Sequence, residues 1–391
     1  MNPYLNAAQG MAADLAEFAA GLHRRPEPSF LEVETTRKIK AELEKLSLEP
    51  VDTGLETGAA ALLRGAKPGG LVVLRADIDA IAVAEDETGP GASEAPGLMH
   101  ACGHDVHTAC LLGAARLLAA EKANLAGDVL FLFQPGEEVT RGATALLGAG
   151  LLEKLPKTPD ALFGLHSAPA LPAGTVGVNP AEMMAGKTNF TVTFTGVGGH
   201  GGQPHQGTDV LVAGAAFVAA VQTVVSRNTD PLQPLVCAVH TVHAGEQVFF
   251  PADTLQMTGS VRALDAGVQK LAEDRLVELA EATAKGYRCG CEMTLIPEVP
   301  PLVNDPALVP LGQKAAGMVA RQVAALPPTL LSDDFSVLAA KMPGLYYWLG
   351  TAKDPATAAP LHHRDFSADP QAIPYGSALL AQSAVLVLAE D

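Results

Sequence analysis

LVVLRAD at residues 71–77, HTACLLGAARLLAAEKA at 107–123 and DVLFLFQP at 128–135 set the architecture when they are read together. The outer two are near-continuous apolar runs, the pattern of strands buried on both faces of a parallel sheet. The Ala- and Leu-rich stretch between them favours a helix. Strand, helix, strand in that order implies a right-handed crossover and a layered α/β unit. DALFGLHS (160–167) reads as a third buried strand and GLYYWLG (344–350) as another, with a last helix within PYGSALLAQSAVLVLAE (374–390).

The middle of the chain has a different rhythm. NFTVTFTG (189–196) alternates as a half-exposed strand does, and a helix follows over about 209–226. LVCAVHTVHAG (235–245) and TLQMTGSVRAL (254–264) read as strands, 265–285 as a second helix, and EMTLIPEV (292–299) as a closing strand. That order, β-α-β-β-α-β, is the ferredoxin-like arrangement. Polar motifs stand on both sides of it, so the expected division is an outer α/β domain, 1–186 with 298–391, and an inserted α+β domain, 187–297.

Lys and Arg number 26 against 43 Asp and Glu, a formal charge of −17 over 391 residues. Such a balance repels nucleic-acid phosphates and anionic lipid, so neither nucleic acid nor a membrane is the expected partner. The N-terminal segment carries Asp14 and Glu17 where a secretory leader needs an apolar core. Five cysteines is an odd count in a long chain and does not read as a disulfide framework. A cytoplasmic protein is expected.

Each polar cluster follows an apolar run. Arg75-Ala76-Asp77 ends the first strand, Gln134-Pro135-Gly136-Glu137-Glu138 the second, and His166 the third. Ligands of open α/β sheets collect at the carboxyl ends of strands. MHACGHDVHTA (99–109) precedes the crossover helix, and LHHRDFS (361–367) follows the last strand. Cys102 and His104 are two residues apart, so in extended backbone they face one side, roughly 6.6 Å apart along the chain. Their side chains can lean onto one ion or onto a pair, because a thiolate can bridge and imidazole suits Zn- or Mn-like sites. A lone loop histidine is a structural residue more often than a ligand. His100, His104 and His107 within eight residues, beside Cys102 and Asp105, are not that case. Glu137 and Glu138 are neighbours, so in extended backbone they point opposite ways and can divide ligation from general-base work. For His166, a backbone-bonded core histidine and a ligand are equally open readings. Of the adjacent His362 and His363, at most one is expected to ligate. His200 has two glycines on each side in GVGGHGGQPH, and a flexible turn is the alternative reading. Cys289-Gly290-Cys291 lacks the second cysteine pair that structural zinc would want.

Taken in order, MHACGHDVHTA, FQPGEE, GLHSAP and GGHGGQPH resemble the aminoacylase/carboxypeptidase family of metal-dependent amidohydrolases, in the branch of hippurate hydrolase, N-acyl-L-amino-acid amidohydrolase and indole-acetyl-amino-acid hydrolases. The resemblance implies a zinc-exopeptidase-like α/β/α sandwich with an inserted ferredoxin-like dimerisation domain. It implies two divalent ions per subunit (Zn or Mn, with Ni or Co as further options) and a homodimer. By the same resemblance Cys102 is the bridging thiolate, and His104, Glu138, His166 and His362 complete the ligands. Glu137 is the general base, and Asp77 orients a metal-side histidine. His200 reaches the partner subunit's site to polarise the scissile carbonyl, and Arg262 grips the substrate carboxylate. The implied substrate is a small N-acyl amino acid or peptide-like amide.

The chain departs from that pattern at three places. Val248 stands where the family has Asn before Pro251, Asp333 where it has Glu, and Arg364 where it has Pro. These departures touch the substrate pocket and leave the ligand set whole. Two other functions are weighed against amide hydrolysis: cleavage of a different C–N bond by a deaminase or dipeptidase, and non-catalytic metal-dependent binding. Retention of Glu137 argues against the last, since binding needs no general base.

Overall fold

In the computed structural model, which describes residues 2–85, 89, 91–245 and 251–389, the two deciding apolar runs lie side by side as parallel strands, Lys67–Asp77 and Ala126–Gln134. The crossover helix between them is His104–Ala120, almost every residue of which is buried. Strand Ala161–Pro172 pairs in parallel with the other side of Lys67–Asp77, and Gly344–Ala352 pairs in parallel with Ala161–Pro172. Four shorter strands complete an eight-stranded sheet. In spatial order it runs Glu49–Val51, Ala59–Arg64, Ala126–Gln134, Lys67–Asp77, Ala161–Pro172, Gly344–Ala352, Thr175–Val178, Gln322–Ala324.

Alternation along Gly344–Ala352 shows that helices cover both faces. Tyr346 stacks on Phe335 of the short helix Phe335–Ala339, at 4.4 Å between ring centroids. The next residue, Tyr347, points to the other face and meets Ser383 of helix Ala372–Leu388 at 2.8 Å. Successive strand residues face opposite ways, so the two helices sit on opposite layers. The sandwich expected from the strand–helix–strand order is the fold found.

Two compact units divide the chain: Met1–Ala181 with Val303–Pro327 and Asp333–Asp391, and Glu182–Leu302 with Pro328–Ser332. The second unit holds a four-stranded antiparallel sheet in the order Gly290–Val299, Gly186–Thr195, Thr254–Ala263, Leu235–Ala244. With helices Val210–Thr223 and Ala266–Tyr287 this is the β-α-β-β-α-β arrangement. The first of these helices is apolar nearly all round. Its inward residues Val210, Phe217 and Val221 pack with Phe190, Phe194, Leu255 and Met257 of the sheet. Residues 328–332 join this unit through backbone bonds from Thr329 N–H to Met183 O and from Ala185 N–H to Leu331 O.

Candidate metal centre and active site

The site residues of the first unit converge through three backbone turns. After Lys67–Asp77 the chain leaves the sheet, and Asp79 is fully buried. Before the crossover helix, Gly103 adopts φ +86°, a left-handed conformation that L side chains rarely take. A Cβ there would lie 2.4 Å from Ser167 Oγ, so the position excludes any side chain. Cys102 and His104 therefore meet across a tight turn and not, as alternation along extended backbone suggested, on one side of a strand. Past Ala126–Gln134, Gly136 takes φ +70°, with Phe30 packed where its Cβ would go. Glu32 accepts the Gly136 N–H at 2.9 Å, and Thr140 N–H closes the turn onto Glu137 O at 2.6 Å. Glu137 and Glu138 thus sit on a turn that brings an oxygen of each within 4.8 Å of the other and of a His104 ring nitrogen, where opposite-facing residues of a strand were expected. His166 also differs from expectation. It lies within its strand, which continues to Pro172 because Gly350 and Ala352 go on pairing with it.

These turns bring five donors together. Cys102, His104 and His166 form one group and Cys102, Glu138 and His362 another, with ligand atoms in each group within 4.8 Å of one another. The Cys102 thiol is common to both. Its Sγ lies 3.4 Å from His166 Nε2, and His362 Nε2 is 3.5 Å from a Glu138 oxygen. His362 is held with φ +62° and its N–H on Ala101 O. Each buried ring is steered from its Nδ1 edge, His104 by the Asp79 carbonyl at 2.9 Å and His166 by the Ser167 carbonyl at 3.0 Å. Nδ1–H donation leaves Nε2 to present a lone pair inward. His104 Nε2 and Glu138 Oε1 are buried without a hydrogen-bond partner. Such orphans are costly in a finished core and are what a cation-binding site requires.

Electrostatics point the same way. Burial alone would raise the Cys102 thiol, but the neighbouring His166, His104 and His362 outweigh it and hold it well below its ordinary value. His362 in turn rises to about 10 through its contacts with Cys102 and Glu138. A thiol kept in its thiolate form by neighbouring imidazoles is in the form that binds a metal ion. One thiolate, three imidazoles and one carboxylate form a borderline-soft set that suits Zn-like transition ions better than Mg or Ca. The residues fit a two-ion centre.

Glu137 faces a different neighbourhood. Its carboxyl groups with Asp333 and Asp334 within 4.8 Å. Burial first, and then those two carboxylates, push it well above the usual range. Beneath lies an ion network that the sequence reading did not anticipate. Arg75 is fully buried and meets Asp77 at 2.7 Å, Asp334 at 2.9 Å and Asp333 at 3.3 Å. Gln134 and Tyr346 complete it, Tyr346 donating to Asp333 at 2.6 Å. Arg75 inside an apolar run was the available signal, since a buried charge demands partners. Asp77 itself accepts from His107 at 2.6 Å and lies 3.8 Å from His104 Nε2, so Asp79 is the residue at the Nδ1 edge of His104.

The remaining sequence-predicted residues lie in the second unit or at the surface. His200 is exposed on the loop after Gly186–Thr195, its Nδ1 accepting Gly202 N–H at 3.0 Å. Arg262, on Thr254–Ala263, donates to Leu330 O and Ser332 Oγ. Arg364 is exposed, and Val248 lies outside the described residues.

Residues 73–385 match the model of peptidase family M20/M25/M40. N-acetylcysteine deacetylase of Bacillus subtilis is 37% identical over 368 residues, 94% of this chain and 95% of that protein. Thermostable carboxypeptidase 2 of Saccharolobus solfataricus is 33% identical, with 92% of each chain covered. Among solved structures, a dinuclear metal binding peptidase of family M20 from Bacillus subtilis superposes with a TM-score of 0.87 at 32% identity, covering 98% of this chain and 99% of its own.

Proposed function

Since the chain belongs to peptidase family M20/M25/M40, we propose that it hydrolyses the amide bond of small N-acyl amino acids, with Cys102, His104, Glu138, His166 and His362 holding two divalent ions and Glu137 as general base. The observation that carries the reading is a carboxyl of raised proton affinity, Glu137, set beside a five-donor cluster with unpartnered Nε2 and carboxylate atoms. The names of the relatives, deacetylases and a carboxypeptidase, support an amide substrate that bears an amino-acid carboxylate.

Ions held there would polarise the scissile carbonyl and acidify a water molecule. Glu137 takes a proton from the attacking water as the C–O bond forms, and returns it to the departing amine as the C–N bond breaks. Its raised affinity suits both halves, because a weaker base would not capture the proton. Asp333 and Asp334 keep that affinity high, and Arg75 balances their charge. His200 supplies a polarising contact from the partner subunit, and Arg262 receives the substrate carboxylate with the donors it does not spend on Leu330 and Ser332. Zn or Mn is the metal we assign. In this reading the protein is cytoplasmic, which its five free cysteines support, and it forms a homodimer.

Acetyl, benzoyl and indole-acetyl amino acids, incubated with chelator-treated protein and added Zn or Mn, test the reaction. Release of the free acid and the free amino acid supports it. Ammonia release, or cleavage of dipeptides alone, replaces it with the deaminase or dipeptidase reading. Mixed dimers test the shared site. His200→Ala and Glu137→Gln subunits, each inactive alone, should on exchange regain up to half of wild-type activity per hybrid. No recovery, with exchange verified, places His200 in its own subunit's site.

A further inference from the structure

His107 is buried, is not among the five donors, and has no part in the proton transfers above. Its ring nonetheless joins two segments that carry the centre. Nδ1 donates to Asp77 Oδ1 at 2.6 Å, while Nε2 lies 2.9 Å from Ser167 Oγ and accepts the Ser167 backbone N–H at 2.8 Å. By distance alone, Asp77, His107 and Ser167 form the Asp–His–Ser arrangement of a nucleophilic site. Two observations exclude that use. Ser167 is fully buried, and its peptide N–H already occupies the lone pair a general base would need.

The sheet shows why the ring is there. Strands Lys67–Asp77 and Ala161–Pro172 pair only from Val72–Ala161 to Leu74–Phe163, then splay. The gap opens where the site lies, and the Ser167 N–H on its edge has lost a neighbouring strand to bond. The imidazole of His107 fills the gap, acting as a one-residue rung between Asp77 and the peptide that joins His166 to Ser167. The carbonyl of that same Ser167 accepts the His166 Nδ1–H. We propose that His107 is a positioning residue, a clamp that fixes the His166–Ser167 peptide and thereby aims the His166 imidazole before any ion arrives. The proposal rests on the two-ion reading of the site and adds to it a residue that never touches metal or substrate.

Two isosteres separate the arms of the clamp. His107→Asn keeps a donor at the Nδ1 position for Asp77 and loses the acceptor for Ser167 N–H. His107→Gln puts an amide oxygen at the reach of Nε2 and gives up the donor to Asp77. Ser167→Ala removes the hydroxyl and keeps the N–H. Zn2+ is titrated calorimetrically into chelator-treated full-length protein, and turnover is measured separately. His107→Asn should weaken one of two ions by about 10–100-fold, the usual cost of losing a partner that orients a ligand, and leave the other near wild type. His107→Gln and Ser167→Ala should bind both ions at close to wild-type affinity. A general loss of structure would instead weaken both ions together. Asn binding both ions normally, or Gln as damaging as Asn, overturns the clamp. So does Ser167→Ala that binds both ions yet has lost turnover. If His107→Asn does not fold, His107→Gln set against His107→Ala decides: equal losses reject the idea. Wild-type protein that takes up no Zn2+ would instead refute the two-ion reading beneath it.

Discussion

Replacing Arg75 by Met keeps much of the side-chain volume and removes a guanidinium that meets three buried carboxylates. Asp77, Asp333 and Asp334 lie 2.7, 3.3 and 2.9 Å from the guanidinium, and all four side chains have lost contact with water. Breaking a buried pair from one side costs about 3–5 kcal/mol, because the uncompensated charge stays behind. With a urea slope near 3 kcal/mol per molar, that loss moves the unfolding midpoint down by roughly 1–1.7 M. Trp348 is the sole tryptophan, buried on the same strand as Tyr346, so its emission reports the unit that contains the network. The measurement uses metal-free protein, so that lost ion binding does not enter. The deficit should also grow with pH. Asp334 sits at about 7, raised by burial first and lowered again chiefly by Arg75. A raised carboxyl contributes stability below its unfolded value and loses it as pH climbs through the folded value. Without Arg75 that folded value climbs further, so the loss extends above pH 7. Asp77, held well below its ordinary value by His104 and His107 first and then by Arg75, stabilises the wild type above the unfolded carboxyl value, and the Arg75 share of that fades in acid. The gap between the two proteins is therefore widest at neutral to alkaline pH and narrowest near pH 4. A midpoint unchanged by Arg75→Met, or a deficit that shrinks as pH rises, would refute the account of the network.

Glu137→Gln should lose about 10²–10⁴-fold in kcat while its metal content, measured by elemental analysis, stays intact. Glu138→Gln should lose metal first and activity with it, and equal metal loss in both variants would remove the division of labour between them. Cys102 should be alkylated readily in chelator-treated protein and shielded once Zn2+ is added, with Cys102→Ser weakening metal binding; indifference to metal would make it a packing residue. Gly136→Ala should cut activity sharply, because the left-handed φ +70° and a Cβ only 2.6 Å from the Phe30 ring force the Glu137–Glu138 turn to shift. Wild-type turnover in that variant would show that the turn has slack.

What could be read in advance from the chain follows from where each constraint is local. LVVLRAD and DVLFLFQP announce a parallel sheet because each is apolar on both faces, and a helix must lie between parallel neighbours. The candidate donors could be picked out because His, Cys and Glu cluster in short motifs. The strands that escaped notice are short, and Ala59–Arg64 opens with three alanines, which carry little strand preference. The ion network escaped for a different reason. Arg75 and Asp334 are 259 positions apart, and no periodicity links them. Yet half of the inference was open: an arginine within a run buried on both faces must find carboxylates somewhere, and two adjacent aspartates before Phe335 were candidates on the same ground. His107 shows the limit most sharply. In sequence it is one of three histidines in a motif, indistinguishable in kind from His104. Only their place along the helix separates them. Three residues along the helix from His104 and on nearly the same face, His107 enters the gap between two splayed strands instead of the ligand cluster. Residue type and spacing thus mark out a cluster, while the point at which two strands part decides which of its histidines join the donor group around Cys102 and which bridge the strands.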